Sequence, residues 1–312
     1  MQEFIGFIIK TAGFFVGAIV FAAYLSLIER KFIGRIQMRL GPTRCGIFGV
    51  WQPIADALKL FFKRNALKGH SAQSIFAVFL LFFIALMQLS IIPLSKNFLI
   101  LNPSNGLLFI IFFHTLFVVA EILIGTTSAS KYGVIGGIRS YLQLVGGHIV
   151  FVLSLICVFL YSGSLNLLDI VKSQEHHLFA LLLLPVFVVF FISSLASMNR
   201  TPFDFTEAES EIVAGAYVEY GGILFAMIYL SDYLNIIFMS AVISILFLGG
   251  YKPIFDINFV PPCVWLVLKI LIITCLTILI RAMLPRYRQD QMIEIFWIIA
   301  CPIIIGYLLF LI

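Results

Sequence analysis

Long apolar runs separated by short charged stretches dominate the chain. Eight stand out, near 4–27, 74–95, 106–126, 140–161, 177–197, 214–249, 264–281 and 292–312, and about 20 mainly apolar residues is what a helix needs to cross a bilayer. The pattern predicts an all-α, polytopic membrane protein with about eight transmembrane helices, organised as one membrane domain over 1–312. The first run is read as a retained span and not a cleaved leader, because Lys10 interrupts it and seven similar runs follow. The sixth is too long for one upright helix and carries Glu219 and Asp232, so it is expected to be tilted, broken or in two pieces.

A second periodicity lies in the first inside loop, residues 28–73. Over 49–64 the residues Trp51, Ile54, Ala55, Leu58, Phe61 and Phe62 follow the i, i+3, i+4, i+7 rule, with Gln52, Asp56, Lys59 and Lys63 opposite and Pro53 in the first turn. This predicts an amphipathic helix lying in the membrane interface. Two uses remain open for it: a surface anchor meeting anionic head groups, or a gate for an amphiphile entering sideways. The stretch before it, with Gly41, Pro42 and Gly46 among Arg35, Arg39 and Arg44, reads as irregular backbone needing protein or a cavity around it.

Charge orients this arrangement. Loops after odd spans carry fifteen basic residues: Arg30, Lys31, Arg35, Arg39, Arg44, Lys59, Lys63, Arg64, Lys68, Lys131, Arg139, Arg200, Arg281, Arg286 and Arg288. Loops after even spans carry three, Lys96, Lys172 and Lys252. The positive-inside rule then places odd loops on the cytoplasmic or matrix side and both termini on the opposite side. Splitting the sixth run into two full crossings would scramble this asymmetry, which favours one tilted or broken span. The net charge of +5 is therefore a topology signal and points to no nucleic acid.

Composition excludes the main alternative. Of 312 residues, 62% are apolar and 11% charged, against roughly 45–50% and about 25% in soluble proteins, so a soluble enzyme is ruled out. Cys45, Cys157, Cys263, Cys275 and Cys301 form no C-x-x-C or His-associated pair, so no disulfide framework, zinc site or iron–sulfur site is signalled.

Chemistry must then sit in the loops and in charges left at membrane depth. The inside loop 198–213 contains NRTPFDFTEAESE, where Thr206 and Glu209 fit a capping box and Glu207, Glu209 and Glu211 fit the first turns of a helix. A continuous helix would carry on through Glu219, about 12 Å beyond Glu211, to Asp232, about 20 Å further. Carboxylates at that depth are costly and usually functional, which suggests a proton or ion path. Glu121 is another intramembrane acid, in LFVVAEILIG. His114 and His148 lie at membrane depth as well; each is more simply an interhelical hydrogen-bond partner than a relay. His176 and His177 fall in an outside loop and read as solvated.

Five ordered segments, ERKFIGRIQMRLGP, GVWQPIADALKLFFK, SKYGVIGGIRS, NRTPFDFTEAESEIVAGAYVEYGG and LPRYRQDQM, resemble the quinone-site membrane subunits of respiratory NADH:quinone oxidoreductase, complex I, known as subunit 1 in mitochondria and H in bacteria. The resemblance covers nearly the whole chain. It implies an eight-span subunit at the junction with the hydrophilic arm, whose inside loops wrap a quinone tunnel ending against hydrophilic subunits that hold the terminal iron–sulfur cluster. Small and antiporter-like membrane subunits and membrane lipids are the other implied partners. Ubiquinone is the implied substrate, with no metal, flavin or cluster held by this chain.

Carried over by position, the resemblance assigns a quinone cavity to Arg30, Lys31, Gln37, Arg39, Trp51, Gln52, Asp56, Phe61, Arg139, Gln143, Arg200, Phe203, Asp204, Arg281, Arg286 and Arg288. It assigns an acidic passage to Glu207, Glu209, Glu211, Glu219 and Asp232. Two departures matter: His148 stands where the family has an intramembrane Glu, and Ser197 stands at another Glu position. Glu121 stands where the family is uncharged, so Glu121 and His148 are expected to rebuild part of the route. Related subunits of membrane-bound hydrogenase and formate hydrogenlyase complexes keep the fold without quinone, and the intact GVWQPIADALKLFF loop favours the quinone version. A secondary transporter would often show two related halves, and none is visible. Heavy use of Phe and Ile suits an AT-rich organellar genome, so the mitochondrial inner membrane is expected, with a bacterial inner membrane as the alternative.

Overall fold

The computed structural model describes residues 2–63, 72–96, 98–175, 177–207, 209–253 and 260–311, with the side chains of 2–5 and 209–210 excepted. All regular structure among these residues is helical. The main elements are α1 (Gln2–Ile36), α2 (Gln52–Phe62), α3 (Ala72–Leu89), α4 (Gly106–Thr127), α5 (Lys131–Ser162), α6 (Leu167–Ser173), α7 (Leu184–Ser197), α8 (Gly222–Phe247), α9 (Pro262–Met283) and α10 (Gln289–Leu311). Seven of them, α1, α3, α4, α5, α8, α9 and α10, are long and apolar enough to cross a bilayer. The fifth expected run is divided: a single turn, Phe179–Leu182, is separated by Leu183 from α7, whose 14 residues begin with Pro185 in the first turn. A proline lacks the N–H that would have joined the two pieces.

The centre of the bundle is α8, which packs against α1, α2, α3, α6 and α9. It is apolar on every side and almost wholly buried from Tyr233 to Phe247, as expected of a helix with no face turned outward. Two of its serines donate within the helix, Ser231 to the Ile228 carbonyl and Ser244 to the Ser240 carbonyl, both at 2.7 Å. Its C-terminal end is closed by two side chains that hydropathy hides. Gln174 Nε2 donates to the carbonyls of Ile245 and Leu246 at 2.9 and 3.1 Å, and Lys269 Nζ donates to those of Leu248, Gly250 and Lys252 at 2.7, 2.8 and 2.7 Å. A buried ammonium is tolerated there because all three of its protons are taken by backbone carbonyls of the turn that follows the helix.

Two expectations change and a third is narrowed. α1 does not stop at residue 27 but runs to Ile36, carrying Glu29, Arg30, Lys31 and Arg35 on helical backbone. The sixth run is broken, one of the alternatives expected, and the break lies near its start: α8 begins only at Gly222, and the residues before it form a turn, Glu209–Ile212, followed by irregular backbone with Val213 and Gly215 at φ +66 and +53. The capping box is also not realised on the Thr206 side, because Thr206 Oγ1 makes no hydrogen bond while its carbonyl accepts from Ala216 N–H at 3.2 Å. The competing interaction is tertiary. α5 presses on this segment so closely that a Cβ on Gly136 would stand 2.4 Å from the Ala216 nitrogen, leaving no room for a helix of ordinary diameter.

Candidate functional site

The C-terminal end of α1 carries a buried carboxylate. Glu29, 4% exposed, is paired with Arg281 of α9 and lies 3.7 Å from Arg200. It also accepts from the Tyr233 hydroxyl of α8 at 2.6 Å. The Arg200 guanidinium stands 5.0 Å from the centre of the Tyr233 ring, close enough for a cation–π contact. Burial disfavours the Arg200 charge, yet Glu29 and then Tyr233, Glu207 and Asp232 hold its pKa above the ordinary arginine value.

Beside this group opens a cleft of about 380 Å³ lined by Glu29, Arg30, Arg39, Tyr229, Tyr233 and Arg281 among others. At its mouth Arg30 pairs with Asp56 at 2.8 Å, and Gln52 donates to the same carboxylate at 2.9 Å. The polar edge of α2 is therefore fastened to α1, while Trp51 and Phe61 on its apolar side are 61% and 64% exposed. The loop between them, residues 37–51, is irregular, with positive φ at Met38, Gly46, Phe48 and Gly49; Lys31 ties it down by donating to the Phe48 carbonyl. Gln37 lies exposed in that loop.

A neighbouring polar group joins α5, the loop after α7 and the segment before α10. Arg286 pairs with Asp204 at 2.9 Å, and Gln143 donates to the carbonyls of Ala196 and, at 3.0 Å, Phe203. The Phe203 ring rests on Tyr287 and Phe296. Arg288 stays outside, 80% exposed and 3.6 Å from Asp290.

The acids divide. Burial and the charges of Asp232, Glu121, Glu207 and Asp204 together push the Tyr217 phenol well above its usual pKa, so four carboxylates lie within electrostatic reach of one hydroxyl. Glu121, 2% exposed, accepts from Asn199 Nδ2 at 2.7 Å. Glu211 instead pairs with Arg139, and Glu219 accepts from Ala129 N–H at 2.9 Å. The Glu209 side chain lies outside the described residues. His148 Nε2 is 3.0 Å from Thr115 Oγ1, and its ring stacks on His114 with centroids 5.4 Å apart. Among the described residues no three His, Cys, Asp or Glu side chains gather in a way that could hold a metal ion.

Sequence reasoning passed over Glu29, Tyr229, Tyr233, Asn199 and Lys269. The signals were modest: Glu29 sits in the basic cluster ERKF, and Tyr229 and Tyr233 are four apart and flank Asp232. Asn199 stands in the left-handed region at φ +50, which asparagine tolerates better than most residues.

The family model for NADH dehydrogenase matches residues 9–312. The chain belongs to the NADH dehydrogenase family. Among curated relatives it is 44% identical over 306 residues to the NADH-ubiquinone oxidoreductase chain 1 of Cyanidium caldarium, covering 96% of this chain and 89% of that one. It is 40% identical to the corresponding NADH-quinone oxidoreductase subunit of Magnetococcus marinus, with the same coverage, and 41% identical to that of Paramagnetospirillum magneticum over 91% of this chain and 84% of the relative. The chain is thus a multi-span membrane subunit of complex I in a respiratory chain, similar to both mitochondrial and bacterial members.

Proposed function

We propose that this NADH dehydrogenase family member forms much of the ubiquinone tunnel of complex I and couples quinone reduction to proton translocation, without carrying a redox centre itself. The observation that carries this reading is the cleft between α1, α8 and α9, with buried charges within and the greasy face of α2 outside. Quinone is an isoprenoid with a polar head, so it needs an apolar lateral entrance and a polar inner end. Trp51 and Phe61 suit the first. Arg30, Arg39, Arg281 and Glu29 suit the second, and the neighbouring group of Gln143, Phe203, Asp204 and Arg286 would hold in place the loops that meet the hydrophilic subunit bearing the terminal iron–sulfur cluster.

Two-electron reduction makes an anionic head that must take up protons. A unit charge about 6 Å from a carboxylate, at an effective dielectric near 20, is worth about 2.8 kcal/mol, or about a hundredfold in a protonation equilibrium. Glu207, Asp232 and Glu121 gather near Tyr217 and Arg200, and the latter also touches Glu29, so a charge change in the cleft would be felt by the acids through Arg200. From there protonation passes to antiporter-like membrane subunits. The basic loops face the matrix or cytoplasm and both termini the opposite side, in the mitochondrial inner membrane or a bacterial inner membrane.

The test is Glu29→Gln in the assembled complex. Losing charged hydrogen bonds worth about 1.5–3 kcal/mol should slow quinone reduction about tenfold to a hundredfold, with NADH oxidation by a soluble artificial acceptor unchanged. Full quinone reduction in that variant would overturn the tunnel assignment. For coupling, Glu121→Gln should lower the number of protons moved per NADH oxidised, and an unchanged ratio would end the role given to Glu121.

A further inference from the structure

Behind Glu121 lies a small, partly open cavity, about 20 Å³, lined by His114, Glu121, Gln143, His148, Ser197 and Asn199 among others. It sits beside the wide helical turn of α5 at Leu144–His148, an irregularity that often accompanies function. His114 is 1% exposed, and neither of its ring nitrogens has a hydrogen-bond partner; Gln143 is 6% exposed, and its Oε1 has none either. A neutral imidazole always presents one N–H donor and one bare nitrogen, so the pocket offers a donor and two acceptors with nothing to meet them. Buried polar atoms are rarely left so, and a cavity of this volume holds about one water molecule.

The geometry points to an ordered water in this pocket that joins His114 to Glu121 and lets the stacked His114–His148 pair hold a proton in transit. The step balances. The Glu121 carboxyl O–H bond breaks as its proton passes to the water oxygen, and the water releases one of its own protons to a bare imidazole nitrogen, forming an N–H bond. Glu121 ends as carboxylate, the imidazole as imidazolium, and the water is unchanged; the reverse transfer resets the pocket. His114 and Glu121 are seven residues apart and so share one face of α4, two turns from each other. Thr115, hydrogen-bonded to His148, steadies the second ring.

This inference rests on the proton-coupled reading above, and its test separates the two. In a density map of the purified complex fine enough to show waters, one should appear within hydrogen-bond distance of a His114 nitrogen and Gln143 Oε1; an empty pocket overturns the inference whatever the variants do. In the assembled complex His114→Phe, which fills the cavity, and His114→Gln, which keeps hydrogen bonding but cannot carry a proton, should each cut protons moved per NADH at least twofold. If Gln restores the native ratio, His114 is only a structural partner and the inference fails. Asp232→Asn serves as the control on the broader reading. Lost pumping there with normal pumping in both His114 variants sinks the relay alone, whereas normal pumping in all three sinks the acidic passage too.

Discussion

Glu29 and Glu121 are buried to almost the same degree, 4% and 2% exposed, in opposite surroundings. Glu29 meets two guanidinium groups and a phenol; Glu121 meets the neutral amide of Asn199 and, among the described residues, pairs with no cation. The first site compensates its charge where it stands, and the second leaves it dependent on its neighbours. A fixed charge suits the recognition of a polar head group, whereas an uncompensated acid suits the loading and release of a proton. Burial alone therefore does not tell the two proposed roles apart; the partners do.

The contrast can be broken most strongly at Glu29. Glu29→Leu leaves Arg200 and Arg281 facing each other without their shared anion, and removing one member of such a buried network costs about 3–5 kcal/mol. The expected result is a complex that assembles poorly or melts well below the native one in a thermal scan. Gly136→Ala attacks the segment that carries the acids and leaves the Glu29 group in place. Its new methyl would stand 2.4 Å from the Ala216 nitrogen, and overpacking of this kind costs about 1–3 kcal/mol, so stability should fall and proton translocation should suffer more than quinone affinity. Asp56→Asn sharpens the picture at the smallest scale. Arg30 and Asp56 are 46% and 38% exposed, so in water-screened surroundings the pair is worth about 0.2–1 kcal/mol; the complex should keep its melting temperature while its Michaelis constant for a short-chain quinone rises modestly.

Much of the fold was legible in the chain. Hydropathy found every long helix, because a lipid-facing segment must satisfy its backbone internally and be greasy over about twenty residues. The amphipathic rule found α2, observed at Gln52–Phe62 against an expected 49–64. It did not say which way α2 faces. In the structure the polar edge, through Gln52 and Asp56, turns inward to Arg30, and the apolar face turns outward, the reverse of a helix on a soluble core. Period analysis gives two faces, but only the surrounding solvent and the partner decide which is buried.

The candidate site was legible in kind rather than in pairing. Arg30, Asp56, Arg200 and Arg281 were named from motif resemblance, and they do converge. The anion that Arg200 and Arg281 share, Glu29, was overlooked because it lies at a helix end among basic residues, where a charge is unremarkable. The string of acids from Glu207 to Asp232 reads as a ladder on one helix only if the helix is continuous. The close approach of Gly136 to Ala216 breaks it, sending Glu211 to Arg139 and Glu219 to the Ala129 amide.

By itself, the sequence determined the solvent of this protein, the stretches of chain that form its long helices and the residue types left at membrane depth, since each of these follows from local composition. Only the tertiary structure decided which charges neutralise one another, where α8 begins, and that Lys269 and Gln174 close its far end. Those outcomes depend on contacts between segments up to 252 positions apart, as with Glu29 and Arg281, and no local period along a chain encodes a distance through space.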